Sequence, residues 1–210
     1  MPPPEELSLR SRKKIRTRAQ IADAAAELFG ARGYDAVTVA DVARLAEVSE
    51  QTVYNFFSSK EQLVLDEDAE FEARLVGLVR ERAAGASRTD AIRAGVHAFL
   101  DELKRREGPD SRGGLPCLIN SSPTLRRAWL EAVDRYADSL ARVLLEDSGV
   151  SAAVARVLAG AILAVFVVII DEVGRATRTG VSPRSVIQPL RAQIDDALDR
   201  LAPALNSLPG

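Results

Sequence analysis

A chain of 210 residues with 47% apolar side chains can bury a core without staples, and its single cysteine, Cys117, excludes an internal disulfide. Its net charge of −2 gives no reason by itself to expect nucleic acid, while one His and one Cys exclude most His-rich metal sites and leave Cys/His catalysis only this single pair. A reducing, cytoplasmic setting fits the cysteine count, and the Met-Pro-Pro-Pro start runs into Glu5, Glu6 and basic residues rather than an apolar leader. No phosphate loop or dinucleotide fingerprint appears, so no enzyme, cofactor or metal is expected.

Taken in chain order, the elements are helical almost throughout, with no sustained period-two alternation, and the fold class expected is all-α. Residues 1–14 read as a flexible basic arm. Arg10, Arg12, Lys13, Lys14, Arg16 and Arg18 fall within nine residues that hold no acid, although residues 1–63 as a whole balance nine Lys/Arg against nine Asp/Glu. Such a cluster suits either a solvated tail or an arm that tracks phosphates. A first helix follows from about Ile15 to Arg32, with Ile21, Ala24, Ala25, Leu28 and Phe29 on one face, and Gly33 stops it. Thr38 and Asp41 form a capping-box-like start to a short second helix with Val39, Val42, Ala43 and Ala46 on its apolar face. Glu47-Val48 turns the chain, Ser49 caps a third helix from Glu50 to about Phe57, and Val53 and Phe57 share its inner side.

Ser58-Ser59 is expected to cap a long fourth helix from Lys60 to about Ala84. Further helices are expected at about Asp90–Arg106, Leu115–Ser121, Pro123–Asp147, Ser151–Thr177 and Pro183–Ala202, giving about nine in all. The Gly/Pro-rich stretch 107–114 reads as a loop. The uncharged run Val157–Ile170 is 14 residues long, shorter than the roughly 20 that span a bilayer, so a helix buried on most sides is expected rather than a membrane segment. Burial all round implies a partner surface.

Two short helices joined by a tight turn and packed on a preceding helix make a helix-turn-helix, whose second helix enters the major groove of DNA. Gln51, Thr52 and Asn55 project away from Val53 and Phe57, and amides and hydroxyls of this kind read base edges. Tyr54, Thr38, Ser49 and Lys60 suit phosphates, which fix register without reading sequence. Each has a plainer reading too: Thr38 and Ser49 as caps only, Tyr54 as a half-buried packing residue, Lys60 as a solvated charge. A module that uses the same helices for protein contacts is the competing class, but it gives Gln51, Thr52, Asn55 and the basic arm no common purpose.

Residues 15–63 resemble the DNA-binding head of the TetR family of transcriptional regulators. The resemblance lies in Ile21-Ala22-Asp23-Ala24-Ala25-Ala26-Glu27-Leu28-Phe29, then Gly33-Tyr34 and Val37-Thr38-Val39. It continues through Ala46-Glu47-Val48-Ser49-Glu50-Gln51-Thr52-Val53-Tyr54-Asn55-Phe56-Phe57 and ends in Ser59-Lys60-Glu61-Gln62-Leu63. It implies a homodimer on a palindromic double-stranded DNA operator. It also implies a helical effector-binding and dimerisation body over residues 64–210, whose small-molecule effector usually lowers DNA affinity when bound. A repressor is expected rather than an activator, because repression needs only occupancy of a promoter. Two positions depart from the family pattern. Glu47 stands where Gly is common, and Glu50 opens the recognition helix, either stabilising its start or accepting from a cytosine amino group.

In the family the last two long helices usually form the dimer bundle, so Gly160, Ala164, Val167 and Ile170 are the expected interface residues. Phe71, Phe99, Trp129, Tyr136 and Phe166 are candidates for an effector pocket, with His97 and Asn120 as polar anchors, although any all-helical body needs such aromatics for its core. Cys117, between Pro116 and Leu118-Ile119, reads as a small buried hydrophobe or as a redox sensor.

Overall fold

The computed structural model describes residues 9–65, 68–82, 85–105 and 114–207, and the chain divides into two compact units, 1–66 and 67–210. Among the described residues all regular structure is helical.

In the N-terminal unit α1 (Leu9–Arg32) begins earlier than expected. Residues 9–14 belong to this helix and not to a flexible arm, because Arg, Lys and Leu are good helix formers and no Pro or Gly follows Pro4 until Gly30. The remainder of the arm lies outside the described residues. Arg12, Lys13, Lys14 and Arg16 stay exposed on the first turns, while Ile21, Ala25 and Phe29 are buried further along. Gly33 takes φ +79° and returns its N–H to Phe29 O at 2.9 Å, closing the helix with the left-handed residue that glycine adopts without a Cβ penalty.

α2 (Val39–Leu45) and α3 (Glu50–Phe56) follow, and Val42, Val53 and Phe57 close the small core against α1. The continuous helix expected from Lys60 to Ala84 is not formed. A 3-10 turn at Glu61–Leu63 buries Leu63 in the N-terminal unit, and α4 (Asp68–Arg80) starts afresh in the second unit. Lys60 gives that turn no side-chain cap, and a hydrogen bond at 3.0 Å from Val64 N to Glu61 O spans only three residues.

The C-terminal unit contains α4, α5 (Arg88–Arg105), α6 (Leu115–Ser121), α7 (Pro123–Ser148), α8 (Ala152–Arg178) and α9 (Pro183–Asn206). α8 packs against α6, α7 and α9; α5 lies between α4 and α9. The α6/α8 crossing depends on Gly174, where a Cβ would stand 2.2 Å from Pro116 O. Arg126 of α7 clasps Asp171 of α8 through both guanidinium nitrogens, the second at 2.9 Å. α9 continues through Pro189 and Pro203, both on its exposed side.

α8 is long and apolar enough to cross a bilayer by length and composition, and half of its apolar stretch is buried inside the unit. It is therefore buried on fewer sides than expected. Val154, Val157, Ala164 and Val168 form an exposed stripe along it, with Val157 70% exposed. Gly160 and Val167 flank the stripe at intermediate exposure. Ile170 does not belong to it: at 100° per residue it lies about 140° around the helix from Val157, and it is fully buried in the unit's own core.

Candidate functional site

The turn between α2 and α3 is built from local hydrogen bonds. Thr38 caps α2, its hydroxyl accepting from Asp41 N at 3.1 Å while Thr38 N donates to the Asp41 carboxylate at 3.0 Å, a complete capping box. The Thr38 hydroxyl and backbone N–H, and then Arg44 at 3.1 Å, hold the Asp41 carboxyl down to about 2. Ser49 caps α3 by accepting from Thr52 N at 3.1 Å, and its hydroxyl meets that of Thr52 at 2.8 Å. Between the caps Glu47 takes φ +53°, the left-handed conformation for which glycine is suited, and Val48 N returns to Ala43 O at 2.9 Å.

This turn leaves one face of α3 uncovered. Gln51 and Asn55 are exposed one helical turn apart, with Gln51 Nε2 donating to Asn55 Oδ1 at 3.3 Å, and Thr52 lies beside them at intermediate exposure. The inter-amide bond pre-aligns two donor–acceptor groups on one face. Tyr54 is 48% exposed. Lys60 is neither a fully solvated charge nor the start of an α-helix. Its ammonium lies 4.1 Å from the centre of the Tyr34 ring, and burial lowers its pKa against the opposing charges of Asp35 and Glu61. Burial and the neighbouring Glu61 push the Tyr34 phenol upward. A second cation, Arg18, lies 4.9 Å over Phe57. This pairing is not legible in the sequence, since the two residues are far apart in the chain.

In the C-terminal unit a groove of about 860 Å³ runs between α4 and α5. Phe71, Leu75, Leu78, Phe99 and Phe166 supply its large apolar walls. Ala91, Ala94, Gly95 and Ala98 of α5 make its small-residue side, and their i, i+3, i+4, i+7 spacing was a legible helical face that sequence reasoning passed over. Arg74, Arg82 and Arg105, and Glu70, Glu81 and Glu102, supply its charged lining. Three of the expected aromatics thus reach the groove, and all five form one cluster. Phe71 lies 5.6 Å from Phe99, 5.3 Å from Tyr136, 5.3 Å from Phe166 and 6.5 Å from Trp129, centre to centre.

The two expected polar anchors lie elsewhere. His97 Nε2 meets Asp195 Oδ1 of α9 at 2.9 Å, on the side of α5 that also carries Arg93, itself paired to Asp195 at 2.7 Å. Asn120 donates to Pro116 O at 3.0 Å and to Ile170 O at 3.1 Å, which fastens α6 to α8. Both side chains are occupied in joining helices, and neither lines the groove. Cys117 is buried at 6% exposure in α6.

Residues 21–66 match the family model for bacterial regulatory proteins of the tetR family. The transcriptional regulator TcmR of Streptomyces glaucescens is 30% identical over 151 residues, 70% of this chain and 67% of that protein. The transcriptional activator FasR of Mycolicibacterium smegmatis is 32% identical over 156 residues, 71% of this chain and 68% of that protein. The chain belongs to the TetR family. As a TetR-family protein it is a DNA-binding transcriptional regulator and not an enzyme. The same fold is found in FadR of Bacillus subtilis, solved in complex with stearoyl-CoA, with a TM-score of 0.54, 20% identity, and coverage of 89% of this chain and 98% of that one.

Proposed function

We propose that this TetR-family regulator is a cytoplasmic repressor. It binds a palindromic operator as a homodimer and is released by a small, largely apolar effector held between α4 and α5. The observation that carries the DNA half is the uncovered α3 face, where Gln51 and Asn55 present aligned amides beside Thr52. Thr38, Ser49, Tyr54 and Lys60 surround that face and hold the phosphates, with the exposed basic turns of α1 adding charge. The N-terminal unit, residues 1–66, is the operator-binding domain, and residues 67–210 the effector-binding and dimerisation domain.

The homodimer reading is supported by the α8 stripe, since a row of three exposed valines and an alanine on a long helix is stabilised by a matching copy across a two-fold axis. The effector reading is supported by the apolar groove and by FadR, which holds stearoyl-CoA in the same fold. An effector releases DNA by binding more tightly to a conformation with low operator affinity. Repression is favoured because it requires only occupancy of a promoter.

A gel shift with DNA flanking the gene tests the reading. Salt-sensitive, sequence-selective retardation is expected, and its absence would overturn operator binding. A reporter on the retarded promoter should rise when the gene is deleted; a fall would identify an activator, as FasR is named.

A further inference from the structure

The aromatic cluster contains a polar atom that the fold leaves unused. Trp129 is 3% exposed, and its Nε1–H is shut from solvent with no hydrogen-bond partner among the described residues. An indole N–H only donates, so a buried one without an acceptor bears its full desolvation penalty. The Trp129 ring touches Phe71, and Phe71 also lines the groove. Trp129 and Tyr136 are buried, whereas Phe71 is partly exposed and is the ring shared by the groove and the indole.

We propose that the effector's inner end carries a neutral acceptor oxygen, such as a ketone, which moves past Phe71 and accepts a hydrogen bond from Trp129 Nε1. The five rings supply no positive charge, so a carboxylate at this depth would be desolvated without a counter-ion, whereas a carbonyl needs only one donor. The body of the ligand lies along Leu75, Leu78 and Ala94, and its outer end is polar. There, one turn beyond Leu78 on α4 and away from Phe71, Glu81 and Arg82 line the groove. This ligand class rests on reading the groove as the effector site.

Trp129 is the only tryptophan in the chain, so intrinsic emission reports on this one indole. The test titrates the full-length protein with decanoate and with 9-oxodecanoate, which differ by one ketone at the inner end. The keto acid is expected to bind about tenfold more tightly and to shift the Trp129 emission. Calorimetry on Trp129→Phe should retain decanoate binding and lose the tenfold preference. Ala94→Phe, which fills the groove, should abolish binding of both acids. Equal affinity of the two acids with unmoved emission would overturn the Trp129 assignment while leaving the groove as the site, and this arm needs no variant to fold. If neither acid binds, or if binding survives Ala94→Phe, the groove reading falls and the proposal falls with it.

Discussion

Glu47 bears a conformational cost that its side chain does not repay. At φ +53° an L-residue places its Cβ against the following carbonyl, which costs roughly 1–2 kcal/mol, and among the described residues the Glu47 carboxylate accepts no hydrogen bond. Gly at this position is expected to stabilise the α2–α3 turn by about 1 kcal/mol, after allowing for its greater freedom in the unfolded chain. Amide hydrogen exchange in α2 and α3 of Glu47→Gly should therefore slow by roughly fivefold. Unchanged or faster exchange would mean that the turn is unstrained.

Residues whose role is set by near neighbours in the chain were legible from the sequence. Thr38 with Asp41 and Ser49 with Thr52 are bonded three positions apart, and Gln51 with Asn55 four, so spacing alone places them. His97 and Asn120 were misread because their partners are distant. Asp195 lies 98 positions from His97, and Ile170 lies 50 from Asn120. A lone polar residue on an apolar helix face looks the same in a sequence whether it faces a ligand or a partner helix.

Among the elements, α8 was recognised as an apolar helix, but its sides could not be assigned. Fourteen uncharged residues leave no polar face to mark the outward direction, and only packing on α6, α7 and α9 separates buried Ile170 from exposed Val157 and Val168. The break after Lys60 was equally hidden, since the helical pattern continues while Leu63 is drawn into the N-terminal core. α6 crosses α8 closely at Gly174, where any added Cβ meets the Pro116 backbone carbonyl. A carbonyl cannot rotate away as a side chain can. Gly174→Ala should consequently destabilise the C-terminal unit by about 2 kcal/mol or more. Chemical denaturation followed by Trp129 emission reads this directly, and an unchanged midpoint would show that α6 shifts without cost.

At the scale of the whole molecule, the proposed function requires the C-terminal unit to pair with a second copy and to bind an effector. Pairing through the α8 stripe predicts a dimer at micromolar concentration in sedimentation, and a monomer for the double variant Val157→Arg, Val168→Arg with its fold intact. A dimeric double variant would move the interface to another face.

The proposed function requires α3 to read bases while its surroundings grip the phosphates. Its most direct test is fluorescence anisotropy of operator and scrambled duplexes, over a range of salt, with the wild type and the alanine variants of Gln51, Asn55 and Lys60. Gln51→Ala and Asn55→Ala should each lower operator affinity by about 1–3 kcal/mol with little effect on the scrambled duplex. Lys60→Ala should weaken both duplexes alike and reduce the salt slope by about one. Equal losses on both duplexes for all three variants would mean that α3 does not read bases.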